Sequence, residues 1–309
     1  MKIASSALPV TIISGYLGAG KTTLVNHLLR HADGRKLMVL VNDFGDLAID
    51  ADLIQSDDGD IVTLSNGCVC CSLGSDLFEA FLTVLDRTPK PDHLIIEASG
   101  IARPQNIANI ARAEPDLHLD GIVTLVDAEL IEANLANPQI ASALMEQISS
   151  ADMLLINKSD LVTEQRLQAL RHILAEICPG TPALGCKHGA AALDAVLGAY
   201  SGAKYDIQAT DSADHSEHYV RWSCEATGSF DLDKLKKGLA ALPPGVLRFK
   251  GIIRPGDGGE PVAIHRVGHR VSLDRMYGPA PPVSHMVAIG LEGQMDPAIV
   301  EKTVLRAKQ

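Results

Sequence analysis

The sequence predicts an α/β protein with a doubly wound, mainly parallel sheet, followed by a smaller α+β domain. Three observations predict it. Over the first two thirds, short β-branched apolar runs alternate with stretches of helical periodicity. The apolar runs are nearly continuous, as expected of strands buried on both faces. Near Tyr200 the rhythm stops, and an acidic stretch poor in apolar residues (DIQATDSADHSE) precedes a different pattern. The expected division is 1–205, a linker at 206–217, and 218–309.

In chain order, strands are expected at 10–14, 37–41, 61–64, 93–96, 121–126 and 153–156. Helices are expected between them, at 21–30, 73–85, 105–113 and 164–176. After the linker come a strand at 219–224, a helix at 232–242, two or three strands over 247–253 and 261–273, and a strand at 286–289. A last helix is expected to open near Pro297, since proline suits a first helical turn.

Composition bounds the function. A length of 309 residues fits about two domains at roughly 150 residues each. Hydrophobic residues make up 46% and charged residues 21%, enough apolar content to bury real cores. The net charge of −11 argues against an electrostatic grip on nucleic acid or an anionic membrane, which needs a basic face. The opening apolar stretch runs into a glycine-rich loop and reads as a first strand, not a secretory signal. No apolar run reaches the roughly 18 residues of a membrane span. The expected location is the cytoplasm.

Gly15-Tyr16-Leu17-Gly18-Ala19-Gly20-Lys21-Thr22 fits the phosphate-binding pattern G-x-x-x-x-G-K-[ST] between an expected strand and an expected helix. Glycines let backbone N–H groups turn inward around phosphate oxygens, and a helix N-terminus adds partial positive charge there. Lys21 would reach the β- and γ-phosphates, and the Thr22 hydroxyl would bind Mg²⁺. The fold class is then that of the P-loop NTPases. A glycine-rich turn that binds nothing is the competing reading.

Asn157-Lys158-Ser159-Asp160 follows the last strong strand of this part. A carboxylate there accepts from both N1–H and the exocyclic amine of guanine, donors that adenine does not offer in that place. The pattern argues for GTP over ATP. Glu97-Ala98-Ser99-Gly100 ends another strand. A carboxylate at a strand terminus can hold Mg²⁺ through a water, and a following glycine can offer its N–H to the γ-phosphate. Asn42-Asp43-Phe44-Gly45-Asp46 is an acidic loop after the second strand, whose Asp43 and Asp46 could contact Mg²⁺ or a second metal.

Three of the six cysteines, Cys68, Cys70 and Cys71, fall within four positions between a strand and a helix. Thiols this close can converge on one ion, and thiolates favour Zn²⁺ or Cu(I) over Mg²⁺. A redox pair and plain packing are the alternatives. A fourth ligand is open among Asp43, Asp46, a histidine or water. Cys178 and Cys186 stand alone and are assigned to no site.

These motifs occur together and in order. Gly15 to Thr23 (GYLGAGKTT), the NDFGD loop, the GCVCC element, EASG and NKSD resemble the CobW-type metallochaperone GTPases, relatives of the urease and hydrogenase nickel-insertion GTPases. Beyond the linker, Ser229-Phe230-Asp231, Leu247-Arg248-Phe249-Lys250-Gly251 and Val262–Val267 resemble that family's C-terminal domain. The resemblance implies a GTPase, slow without a partner, whose nucleotide state controls binding and transfer of a transition metal to a client metalloprotein. It places Lys21 and Thr22 on phosphate and Mg²⁺, Asn157 and Asp160 on guanine, and Cys68, Cys70 and Cys71 on the carried metal. Zinc is the expected cargo, with Co²⁺ and a role in cobalamin synthesis as the alternative. A homodimer is a further expectation. A small-molecule phosphotransferase and a passive metal buffer are the readings of other classes.

Two departures stand out. The family's acidic loop reads N-E-F-G-E, whereas Asp43 and Asp46 are each one methylene shorter. Many members carry a histidine-rich linker, where this chain has only His215 and His218.

Overall fold

The computed structural model describes residues 7–42, 61–64, 73–198, 219–256, 259–276 and 283–309. The described residues fall into two compact units, one of Ala7–Pro179 with Ala183–Val196, the other of Leu197–Gln309 with Gly180–Pro182. The expected linker at 206–217 lies outside the described residues.

The first unit is built on a seven-stranded sheet. Its strands are β1 (Leu8–Gly15), β2 (Leu37–Asn42), β3 (Ile61–Leu64), β4 (His93–Ala98), β5 (Leu117–Asp127), β6 (Met153–Asn157) and β7 (Ala183–Gly185). They lie in the order β3-β2-β4-β1-β5-β6-β7, and every recorded pair is parallel. All six residues of β4 and all five of β6 are buried, the signature of strands covered on both faces. The helices are α1 (Lys21–Arg30), α2 (Leu73–Leu85), α3 (Pro104–Ala113), α4 (Ile131–Ala136), α5 (Ala141–Ser149), α6 (Glu164–Ile177) and α7 (Leu193–Leu197).

Period-2 alternation sorts β1. Val10 and Ile12 join a core with Met38, Leu40, Leu94 and Ile96, closed by Leu77 and Phe81 of α2 and Ile107 and Ala108 of α3. Further along the sheet, Leu154 and Ile156 pack with Ile131 of α4, Leu144 and Ile148 of α5, and Leu167, Leu170 and Leu174 of α6. Helices α4, α5 and α7 and the three-residue β7 are not expected from sequence. The segments of α4, α7 and β7 carry too few turns or alternations for periodicity to show. The strand expected at 121–126 begins at Leu117, because a register shift between Val10 and Thr11 lets β5 continue past Asp120 alongside β1.

The second unit holds a five-stranded antiparallel sheet, β8 (Tyr219–Ala226), β9 (Val246–Ile253), β10 (Val262–Val267), β11 (Arg270–Arg275) and β12 (Ser284–Leu291), in the order β11-β10-β9-β12-β8. Helices α8 (Leu232–Ala240) and α9 (Pro297–Arg306) close its core, with Leu235, Leu239, Val300 and Val304 packed on Trp222, Phe249 and Ile264. The run expected as one or two strands over 261–273 is a hairpin turning at Gly268, so its two halves are β10 and β11. Among the described residues, no helix is long and apolar enough to cross a membrane.

Two fully buried arginines, Arg248 and Arg266, sit in this small sheet. The Arg266 guanidinium donates to the carbonyls of Leu242 (2.9 Å), Pro243 (3.3 Å) and Val246, the turn that follows α8. Burial lowers its pKa to about 10, so it stays charged near neutrality. The turn's carbonyls have therefore exchanged water for a cation on a neighbouring strand. Arg266→Ala leaves three carbonyls without that donor, and urea denaturation should show a loss of about 3 kcal/mol.

Candidate functional site

Parallel pairing brings the C-terminal ends of β1, β4, β5 and β6 to one rim. The loop after β1 runs from Gly15 to Gly20 and feeds directly into α1. Gly20 occupies the left-handed region at φ 97°, and a Cβ there would collide with Asn157 Nδ2. Lys21 is only 8% exposed, and its ammonium donates to the carbonyls of Gly15 (3.0 Å) and Tyr16 (3.4 Å). The cation is thus held within the loop at the N-terminus of a ten-residue helix with no acidic residue in its first turn. Both features favour an anion.

Thr22, the next residue, donates its hydroxyl to Glu97 Oε1 at 2.7 Å. Glu97 is buried at the end of β4, in register with Ile13 of β1 and Val41 of β2. A hydroxyl and a carboxylate oxygen thereby meet beside the phosphate-type loop. Such hard oxygen donors suit Mg²⁺ and not a soft metal. Gly100 follows on the same loop and is closely approached by Leu17. A Cβ on Gly100 would lie 2.7 Å from Leu17 Cγ and 2.9 Å from Leu17 N.

Asn157 closes β6, paired with Asp127 at the end of β5. Its side chain is buried and uses both ends of the amide. Nδ2 donates to Ala19 O at 2.9 Å, while Oδ1 accepts from Gly189 N–H at 3.0 Å and from the Cys186 thiol at 3.5 Å. One residue therefore ties the loop after β1 to the loop after β7. Lys158 sits at φ 61°, unusual for a residue with a side chain, and its ammonium reaches Asp127 Oδ2 at 2.6 Å. Asp127 is itself pinned, since its Oδ1 accepts from the N–H groups of Glu129 (2.9 Å) and Leu130 (3.3 Å). Asp160 lies in a single 3₁₀ turn, Ser159–Leu161, with His188 Nε2 at 3.8 Å from its Oδ2. Ser159 donates both its N–H (3.1 Å) and its hydroxyl (2.9 Å) to Cys186 O, which moors that turn to the loop after β7.

Gly15, Gly18, Ala19, Gly20, Lys21, Thr22, Thr23, Glu97, Gly100, Asn157, Lys158 and Asp160 all lie on the loops and element ends of this rim. Asp43, Asp46, Cys68, Cys70 and Cys71 lie outside the described residues, as do His215 and His218. Sequence reasoning missed Asp127, Gly189 and the contact of Cys186 with Asn157. Asp127 had a readable signal, an acidic residue closing an apolar run in the manner of Glu97. Cys186 and Gly189 had none, since β7 is too short to announce a strand end.

The chain matches two family models. Residues 9–184 match the CobW/HypB/UreG nucleotide-binding domain, and residues 219–308 match the cobalamin synthesis protein CobW C-terminal domain. A zinc chaperone CobW from Sinorhizobium sp is 31% identical over 342 aligned positions, covering 96% of each chain. The Escherichia coli zinc chaperone YjiA is 36% identical over 59% of this chain and 58% of its own. A crystal structure of Zn(II)-bound YjiA GTPase from E. coli covers 98% of this chain and 100% of that one, at 23% identity and a TM-score of 0.47.

The Asn157 bridge yields a test independent of any ligand. Asn157→Ala leaves Ala19 O and Gly189 N–H without their buried partner. Chemical denaturation should show a loss of about 3 kcal/mol, against a change within about 0.5 kcal/mol for an exposed control such as Glu176→Ala.

Proposed function

The chain belongs to the CobW/HypB/UreG family, and on that premise we propose that it is a GTP-hydrolysing metallochaperone that binds zinc and hands it to a client metalloprotein. The observation that carries the nucleotide half is the convergence of Lys21, the Thr22–Glu97 pair and Asn157 on one sheet rim. The relatives' names carry the zinc half: zinc chaperones, and a zinc-regulated GTPase metalloprotein activator from Schizosaccharomyces pombe, 34% identical over 55% of this chain and 43% of its own.

In this reading the backbone N–H groups from Gly15 to Thr23 and the Lys21 ammonium take the phosphates, trading the carbonyl contacts of Lys21 for phosphate oxygens. Thr22 and Glu97 would hold Mg²⁺, which would supply neutralising charge to the phosphates. Asp160 accepts from N1–H and the amine of guanine, on a turn moored through Ser159. Lys158, held by Asp127, leads into that turn and anchors it to the end of β5. The Gly100 N–H answers to the γ-phosphate.

Cys68, Cys70 and Cys71 hold the zinc as thiolates, with a fourth ligand drawn from Asp43, Asp46, a histidine or water. Zinc is cargo here, so its affinity must fall when GTP gives way to GDP, and by linkage zinc must alter the GTP-to-GDP affinity ratio by the same factor. We place this work in the cytoplasm, with a homodimer as the working assembly.

Three measurements test the reading. Phosphate release from GTP should proceed without an added acceptor and exceed that from ATP; a requirement for a small-molecule acceptor would point to a phosphotransferase. Lys21→Ala should lower that release about a hundredfold. Competition binding should show a GTP-to-GDP affinity ratio that differs with and without Zn²⁺ in the wild type but not in the Cys68/Cys70/Cys71→Ser variant. Equal ratios in the wild type would leave a GTPase without coupled cargo.

A further inference from the structure

Gln147 is a buried polar side chain that the nucleotide chemistry above does not use. It lies near the C-terminal end of α5 and is 1% exposed. Its Nε2 donates to Gly100 O at 3.0 Å and to Ala102 O at 3.1 Å. Among the described residues its Oε1 is buried with no hydrogen-bond partner. An unmet buried acceptor costs free energy. A leucine would fill much the same volume without that penalty, so what glutamine adds is the pair of donors on the Gly100 loop.

The neighbouring geometry points the same way. Glu146, the preceding residue of α5, pairs with Arg103 Nε at 3.2 Å, just beyond Ala102. Thr124 of β5 donates its hydroxyl to the Gln147 backbone carbonyl at 3.2 Å, which fixes the helix end to the sheet. Two consecutive residues of one helix thus grip the segment that follows Glu97. On its other side Gly100 is packed against Leu17 of the phosphate loop. Any rotation of the Gly100 backbone swings the carbonyl that Gln147 holds.

We propose that Gln147 is a positioning residue: its amide holds the Gly100 loop in the arrangement seen here and passes any displacement of that loop to α5. The proposal rests on the reading of Gly100 as the γ-phosphate sensor. A triphosphate that draws the Gly100 N–H inward must break or bend the Gln147 bonds, whereas a diphosphate need not. α5 also presents Met145, 46% exposed, to solvent, so a shift of the helix alters a surface outside the nucleotide site.

The full-length chain tests this. In the wild type, amide exchange over 141–149 should respond to a non-hydrolysable GTP analogue and not to GDP. Gln147→Leu should tighten the GTP analogue about fivefold, the worth of roughly one net hydrogen bond, while leaving GDP within twofold. It should also abolish the exchange response of 141–149. Thr124→Val removes a contact to the same residue but leaves the amide in place, and should lower stability with the GTP-to-GDP ratio unchanged. A ratio in Gln147→Leu within twofold of wild type, a shift toward GDP, or an equal shift in Thr124→Val overturns the proposal. So does a wild-type helix that ignores the triphosphate, whatever the variants do. A wild type that binds neither guanine nucleotide would instead remove the nucleotide reading itself, and the inference with it.

Discussion

Parallel pairing of β1 with β4 on one side and β5 on the other governs the chemistry of this protein. Because every recorded pair in the sheet runs the same way, the carboxyl ends of the strands open on one rim. Ile13 beside Glu97 and Asp127 beside Asn157 are the registers that matter. A one-residue slip in either pairing would turn Glu97 away from Thr22 or Asn157 away from Ala19, since side chains alternate faces along a strand. The near-complete burial of β4 and β6 holds the registers, because any slip would have to repack apolar side chains on both faces.

On that frame, the described loops of the rim are restrained by buried or half-buried polar side chains. Lys21 folds back on the carbonyls of its own loop, Asn157 joins the loops after β1 and β7, Asp127 restrains Lys158, and Gln147 holds Gly100. Such contacts exclude water and fix directions, so an incoming phosphate or base meets preset donors and acceptors. They also set what must break when a nucleotide arrives. On the proposed reading, the carbonyl contacts of Lys21 and the Gln147–Gly100 bond are the ones a triphosphate would compete with. The Asn157 bridge involves no group that a phosphate would claim, and it can stay in place throughout.

The second unit follows a different logic. Its antiparallel sheet carries two helices on one face, and its least expected feature is the buried Arg266, which feeds a turn's carbonyls from a neighbouring strand. That arrangement ties α8 to the sheet through charge-assisted hydrogen bonds as well as apolar packing.

Local pattern was enough to recognise the strand–loop–helix at Gly15–Thr22, the strand ends at Glu97 and Asn157, and the change of architecture after residue 200, because each depends on residues adjacent in the chain. Glycines with a lysine after an apolar run, or a carboxylate closing one, announce themselves within a few positions. Strand order does not. Nothing near Asn157 in the chain says that its amide will meet Ala19, 138 residues earlier, and nothing around Cys186 or Gln147 says that they will touch Asn157 and Gly100. Those partners come from which strands lie side by side and which helix covers them, and these are set by burial summed over the whole unit. A motif read along the chain therefore names the chemistry, while the groups that hold the motif in place become visible only once distant segments are packed together.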